Sequence, residues 1–266
     1  MTIAIAHRGY HVEHLENTLE AFESAAALGA DMVELDCRLT GDGHVIVLHD
    51  RTLARLWGVA KPVKGVGWDE VSKIRRKGYR IPDLAGVLRS IELPVMVDVP
   101  GVKVLEASFA VAAAAGALDR CIFAGHTGAM ARLRQLSPSA RIALSWAKRE
   151  RPGPELLART LPEWFNPRWR MAPPSVVDHM HEAGLGVSVW TVDRRRYMKR
   201  VLRAGVDAVI TNRTERLVPL LARRAASSAV RGDEGRQGGP DGRGGPDGRG
   251  GPDGRGGPDG PGRPGP

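Results

Sequence analysis

What this chain lacks narrows it first. No stretch approaches the ~18 consecutive apolar residues of a membrane-crossing helix, so no membrane span is expected. The N-terminus has no basic n-region and no long apolar h-region, since Met1-Thr2-Ile3-Ala4-Ile5-Ala6 leads straight to His7. A secretory signal is therefore not expected, and the cytoplasm is the default compartment. Cys37 and Cys121 are the only cysteines. Each lies in or beside an apolar run, as buried thiols do, and two do not make a disulfide framework. No G-x-G-x-x-G follows the first apolar run, which argues against an open dinucleotide-binding sheet.

Large apolar side chains all but vanish after Ser227, the last being Val230. The unit Pro-Asp-Gly-Arg-Gly-Gly recurs from Pro240, Pro246 and Pro252, and Pro258 continues the phase. Glycine and proline at this density build no packed core, and the register is not that of collagen. Residues 227–266 are therefore expected to be a disordered tail, and residues 1–226 one folded domain. In the tail Arg231, Arg236, Arg243, Arg249, Arg255 and Arg263 balance Asp233, Glu234, Asp241, Asp247, Asp253 and Asp259. The net charge of +9 thus belongs to the folded part. A basic domain attracts anions, among them phosphate substrates, nucleic acid and acidic membrane surfaces. The main basic clusters, Arg75-Arg76-Lys77 and Arg194-Arg195-Arg196 with Lys199-Arg200, carry no nucleic-acid motif, so nucleic acid is not an expected partner.

Short apolar runs alternate with helical patterns through the folded part. Strands are expected at Ile3–Ala6, Met32–Leu35, Val45–Leu48, Val95–Val99, Cys121–Ala124, Ile142–Ser145, Glu163–Asn166, Val187–Trp190 and Ala208–Thr211. Helices are expected at Thr18–Leu28, Asp83–Ile91, Val104–Ala115, Ala129–Leu136, Val176–Ala183, Arg196–Ala204 and Thr214–Arg224. Residues 51–82 read as loop with short helix. This alternation in about 220 residues predicts an α/β fold, a (β/α)8 TIM-type barrel. One strand candidate then lies outside the barrel. The connection from Asp36 to Val45 is too short for a helical crossover, which marks Met32–Leu35 or Val45–Leu48 as atypically joined.

Reactive side chains gather at the ends of these strands, where barrels place their chemistry. His7-Arg8-Gly9 ends the first, Glu34-Leu35-Asp36 the second and His49-Asp50 the third. Glu34 and Asp36 are two apart and share one face of a strand. They suit either a hard divalent cation, Mg²⁺ or Ca²⁺, or ion pairs to Arg8 or Arg38. His7 and His49 are candidate proton shuttles, though a strand-end histidine also serves simply to pack or hydrogen-bond. Arg8 offers a fork for phosphate oxygens or a partner for Glu34 or Glu16. Asp98 is a third metal-ligand candidate or a turn residue before Pro100. Trp190 is a wall for a substrate's carbon skeleton or part of the core.

The strings Ala6-His7-Arg8-Gly9, Glu16-Asn17-Thr18, Glu34-Leu35-Asp36, Asp42-Gly43 and Val47-Leu48-His49-Asp50 together resemble the glycerophosphodiester phosphodiesterases. Trp190-Thr191-Val192, Gly205-Val206-Asp207 and Ile210-Thr211-Asn212 extend the likeness over residues 3–224. The resemblance implies a barrel, a divalent cation and hydrolysis of small-molecule glycerophosphodiesters to glycerol 3-phosphate and an alcohol. It matches His7 and His49 to an acid–base pair and Arg8 to a phosphate-binding arginine. Glu34 and Asp36 match metal ligands, and Asp98 stands where the third ligand is usually Glu. The attacking group is water or the substrate's own neighbouring hydroxyl, which would form a cyclic phosphate first. The family's Glu-x-Lys appears here as Asp98-Val99-Pro100, so a phosphate-facing lysine is missing, with Lys103 the nearest substitute. Asn212-Arg213-Thr214 replaces the usual acidic residue and proline. The alternatives are a lysophospholipase D-type phosphodiesterase and a phosphodiester-binding barrel that turns over slowly. Because the tail holds no expected site residue, a chain ending at about Arg224 should release glycerol 3-phosphate as fast as the full chain; a large loss would overturn that.

Overall fold

The computed structural model describes residues 2–234. Its strands, in chain order, are β1 (Ile3–His7), β2 (Met32–Leu39), β3 (Val45–Val47), β4 (Arg75–Arg76), β5 (Tyr79–Arg80), β6 (Val95–Val99), β7 (Cys121–Gly125), β8 (Ala143–Trp146), β9 (Trp164–Pro167), β10 (Gly186–Val189) and β11 (Ala208–Thr211). Eight of them run parallel in the order β7-β6-β2-β1-β11-β10-β9-β8. A bridge between Phe123 and Ile142 joins the two ends, so the sheet is a nearly closed barrel. Helices cover it between strands, and the compact unit ends at Ser227.

The strand outside the barrel is β3. It pairs antiparallel to β2, Cys37 opposite Val47 and Leu39 opposite Val45. The short link between them is a hairpin, and β2 is long because its second half serves this ribbon rather than the barrel. Residues 51–82 form short helical turns and the small β4–β5 hairpin, packed over Ile46, Leu48, Leu53 and Ile81. A helix at Pro154–Thr160, not expected from the apolar pattern, begins with proline at its first turn, where no backbone donor is lost. The final helix runs from Thr214 to Glu234, beyond the expected Arg224 and into the segment read as unstructured. The repeat from Pro240 lies outside the described residues.

Period-two parity sets the inside of the barrel. Ile5, Met32, Met96, Ile122, Ala124, Ala143, Ala208 and Ile210 form the interior cluster. Val33, Leu35, Val95, Val97 and Val99 point the other way and pack with helix residues such as Phe22, Val87 and Leu105. Continued to the carboxyl ends, the inward parity falls on His7, Glu34, Asp36 and Asp98.

Two glycines let the top of the barrel close. At Gly9 (φ +75°) a Cβ would stand 2.7 Å from the Ala21 carbonyl carbon, so the turn after His7 packs directly on the helix Leu19–Ala27. That helix is capped by Thr18, whose side chain accepts from the Ala21 N–H. At Gly125 (φ +108°) a Cβ would lie 2.3 Å from the Val99 oxygen and 3.0 Å from Asp98 Oδ1. Gly125→Ala should therefore cost of order 1–3 kcal/mol, read as a lower melting temperature, because backbone must move to admit the methyl. An unchanged melting temperature would show that the contact is not binding on the fold.

Candidate active site

Adjacent strands bring the reactive groups level. His7 is in register with Glu34, and Asp36 with Asp98. Together with Arg8, His49 and Trp190 they line one cleft of about 250 Å³ at the carboxyl end of the barrel. All seven residues singled out in the sequence thus share one cavity. Met96, Gly125, Ser145, Asn166 and Ile210 complete its wall. Lys103 is not on that wall; it is exposed in the first turn of the helix Val102–Ala114.

The carboxylates set the electrostatics. Burial, then the charges of Asp36 and Asp98, pushes Glu34 well above the ordinary carboxylate range. Burial, then Asp36, pushes Asp98 up to about 7. Asp36 accepts from Asn17 Nδ2 at 2.9 Å, and Asn17 Oδ1 accepts the Asp36 N–H at 3.3 Å. Arg8 Nε lies 3.1 Å from Asp36 Oδ2, an ion pair without hydrogen-bond alignment. Glu34 Oε2 accepts the Arg8 N–H at 3.0 Å. Among the described residues no three His, Cys, Asp or Glu side chains stand as a ready ion cage. The donor chemistry nonetheless fits a hard cation, because three oxygen donors face a space where their mutual repulsion favours added positive charge.

Each histidine is held by a polar partner. His7 Nδ1 is 2.6 Å from Asn212 Oδ1. Asn212 Nδ2 donates to Asp193 Oδ2 at 2.8 Å and its N–H to Asp193 Oδ1 at 2.9 Å, which orients the amide with its oxygen toward His7. The amide oxygen therefore accepts from Nδ1, leaving Nε2 as the acceptor of neutral His7. The same oxygen meets His11 Nε2 at 2.8 Å. Burial and then the Arg8 charge hold the His7 imidazole below its ordinary pKa. His49 Nδ1 is 2.8 Å from Asp50 Oδ1, and the His49 carbonyl accepts from Arg38 Nε at 2.9 Å.

Arg55 links the two halves of the site. It donates to Asp50 Oδ2 at 2.5 Å and to Glu16 Oε1 at 2.7 Å, and Glu16 Oε1 also accepts from Arg8 at 2.9 Å. Burial opposes ionisation of Glu16, but the hydrogen bonds from Arg55 and the Arg8 charge outweigh it and bring Glu16 down to about 2. The Arg55 hydrogen bonds likewise lower Asp50 to about 2. Arg8 lines the cleft and pairs with Glu16, the second of its two sequence readings. Sequence reasoning missed Arg55 and Asp193. No local pattern marks them, since each meets its partners only across the fold; only Asn212 carried a signal, as a departure from the family string.

Trp190 closes the wall with its Nε1 donating to the Asn166 carbonyl at 2.8 Å. Asn166 Oδ1 accepts from Ser188 at 2.8 Å and its Nδ2 donates to Ser145 Oγ at 3.3 Å. This side of the cleft is neutral and polar, in contrast to the charged side on β1, β2 and β6.

The Glycerophosphoryl diester phosphodiesterase family model matches residues 7–216. A glycerophosphodiester phosphodiesterase of Caldanaerobacter subterraneus subsp. tengcongensis is 30% identical over 245 residues, covering 83% of this chain and 98% of that protein. A lysophospholipase D of Mus musculus is 48% identical over 66 residues, only 25% of this chain and 20% of that protein. The solved structure of an Oleispira antarctica phosphodiesterase in complex with the product sn-glycerol-3-phosphate superposes with a TM-score of 0.76 at 20% identity, covering 84% of this chain and 97% of that one. With a barrel of that fold, and a family match that runs from His7 to Arg216, this chain belongs to the glycerophosphoryl diester phosphodiesterase family and is a hydrolase of glycerophosphodiesters.

Proposed function

We propose that this chain hydrolyses its diester by two-histidine acid–base chemistry at a divalent-cation site, with Arg8 clamping the phosphate. The observation that supports it is the convergence of His7, Arg8, Glu34, Asp36, His49 and Asp98 on one small cleft. Glu34, Asp36 and Asp98 are the residues that would hold Mg²⁺ or Ca²⁺. Such an ion, when bound, offsets negative charge on a phosphoryl oxygen.

The two histidines divide the proton work by environment. Burial and Arg8 favour neutral His7, and Asn212 leaves its Nε2 lone pair free, so His7 is assigned as general base. The Asp50 carboxylate beside Nδ1 is placed to offset a protonated His49 ring, so His49 is assigned as general acid to the departing alkoxide. Arg8 is already aimed by Glu16 and gives a permanent charge to the phosphate. Trp190 is assigned to the substrate's carbon skeleton.

The lysophospholipid reading draws on the short match to the mouse lysophospholipase D. The cleft volume of about 250 Å³ favours the compact glycerophosphodiester, since a long acyl chain has to lie outside it. Comparing turnover of glycerophosphocholine with its lysophospholipid counterpart separates the two, and faster cleavage of the acylated substrate overturns the preference. A cyclic phosphate seen early in the reaction identifies the substrate's hydroxyl as nucleophile.

His7→Ala and His49→Ala should each lower glycerol 3-phosphate release by ~10²-fold or more. Full activity in both variants sinks the mechanism. Chelation should abolish turnover and Mg²⁺ or Ca²⁺ should restore it, whereas chelator-resistant turnover removes the cation from the proposal.

Arg55→Ala should lower turnover by loosening Arg8 and His49 together, although both side chains are unchanged. Its stability cost has a defined pH dependence. Glu16 and Asp50 are depressed from ordinary values near 4, so their contribution is full above that range and is lost as pH falls through about 2. The melting-temperature gap between wild type and Arg55→Ala should therefore be widest above about pH 5 and close toward pH 2. A gap that does not narrow would place the effect elsewhere.

A further inference from the structure

We propose that one half of the barrel's catalytic rim docks on an anionic lipid bilayer. Three successive loops follow the carboxyl ends of β8, β9 and β10, at the end of the barrel that holds the cleft. The first carries Lys148, Arg149 and Arg151, the second Arg168 and Arg170, and the third ends at Arg194, with Arg195 and Arg196 opening the helix that follows, all exposed. Among the described residues none of these is paired with a carboxylate. The acids within the loops are Glu150 and Asp193, and Asp193 is committed to Asn212. The helix Arg195–Arg203 carries the same charge down the barrel's side, with Arg196, Arg200 and Arg203 at helical spacing on one face.

This arrangement repels itself and is stabilised by an extended anionic partner. A groove of about 370 Å³ between that helix and the Trp169–Met171 turn is lined by Arg170, Arg200 and Arg203, which suits a phosphate-bearing headgroup. Basic clusters of this size on or beside an amphipathic helix bind acidic lipid surfaces.

The aromatic rings favour a bilayer over nucleic acid. Lys148 lies over Trp146 at 5.4 Å, Arg168 over Trp190 at 5.4 Å and Arg170 over Trp169 at 5.0 Å. Trp169 also stacks on Tyr197 at 4.4 Å. A single strand binds by stacking bases on open ring faces, and these faces are already engaged by cations or each other. The cations remain directed to the surface, the form that a lipid interface recognises without base stacking. Arg168 on Trp190 joins the patch to the cleft wall, so a docked enzyme would present its cleft to the surface from which phospholipid-derived diesters arise.

The test is co-sedimentation of the full chain with vesicles of phosphatidylcholine alone or with phosphatidylglycerol. Binding is expected only to the anionic vesicles and should weaken with salt. The triple variant Arg149→Glu, Arg170→Glu, Arg195→Glu changes the first two loops and the start of the helix after the third, and none of the three lines the cleft. It should bind those vesicles about 10²-fold more weakly, with melting temperature and turnover of a soluble glycerophosphodiester unchanged. No binding of wild type at low salt, or equal binding by the variant, overturns the proposal. So does variant-sensitive binding to RNA without vesicle binding. The assay reads partition, not hydrolysis, so its failure leaves the catalytic reading intact.

Discussion

Three carboxylates crowded into a poorly solvated space at the carboxyl ends of β2 and β6 are the constraint that the rest of the site answers to. Glu34, Asp36 and Asp98 share the parity that puts Met32 and Met96 in the barrel interior. They cannot be turned outward without turning the core outward as well. Their repulsion is relieved by what surrounds them. Arg8 and Asn17 serve Asp36, the Arg8 backbone serves Glu34, and the Gly125 backbone lies against Asp98 where any side chain would collide.

That requirement explains the irregular backbone beside β1. Arg8 and Asn17 both adopt positive φ, at 58° and 60°, a conformation few non-glycine residues take. Asn17 N–H donates to the Arg8 carbonyl at 3.0 Å, so the two strained positions brace each other. The loop then carries Glu16 outward to Arg55, and Arg55 reaches Asp50 beside His49. A residue with neither histidine nor metal chemistry thereby connects the proposed phosphate clamp to the proposed acid. On the other flank Asn212 and Asp193 do the same for His7. After the last strand this chain carries an amide whose orientation Asp193 imposes, so the negative charge of Asp193 sits one step away from the imidazole.

The two sides of the barrel differ in kind. The β1, β2 and β6 side bears charges that are only partly paired, with Arg8 serving Glu16 and Asp36. The β8, β9 and β10 side has a neutral polar wall of Ser145, Asn166 and Ser188, and outside it a rim of exposed cations that, among the described residues, pair with no carboxylate. Pro100 brings no cation to the charged side. Positive charge in this chain is thus concentrated beyond the cleft rather than within it.

How much of this was legible in the chain follows from range. The alternating apolar runs carry the barrel, because strand and helix periods are local properties, and Glu34 and Asp36 declare a common face by their spacing alone. His7, Arg8, His49, Asp98 and Trp190 were readable as strand-end residues once a barrel was assumed. The antiparallel pairing of β3 was visible only as a link too short for a helix, and the helix Pro154–Thr160 was hidden by its weak apolar pattern. The residue types at the strand ends and the parity that turns them inward are determined by the sequence itself. The partners of those residues are decided only by the tertiary structure. Arg55 meets Glu16, Asn212 meets His7 and Gly125 meets Val99 across separations that no period encodes, because barrel closure, not local preference, brings the ends of distant strands within hydrogen-bond reach.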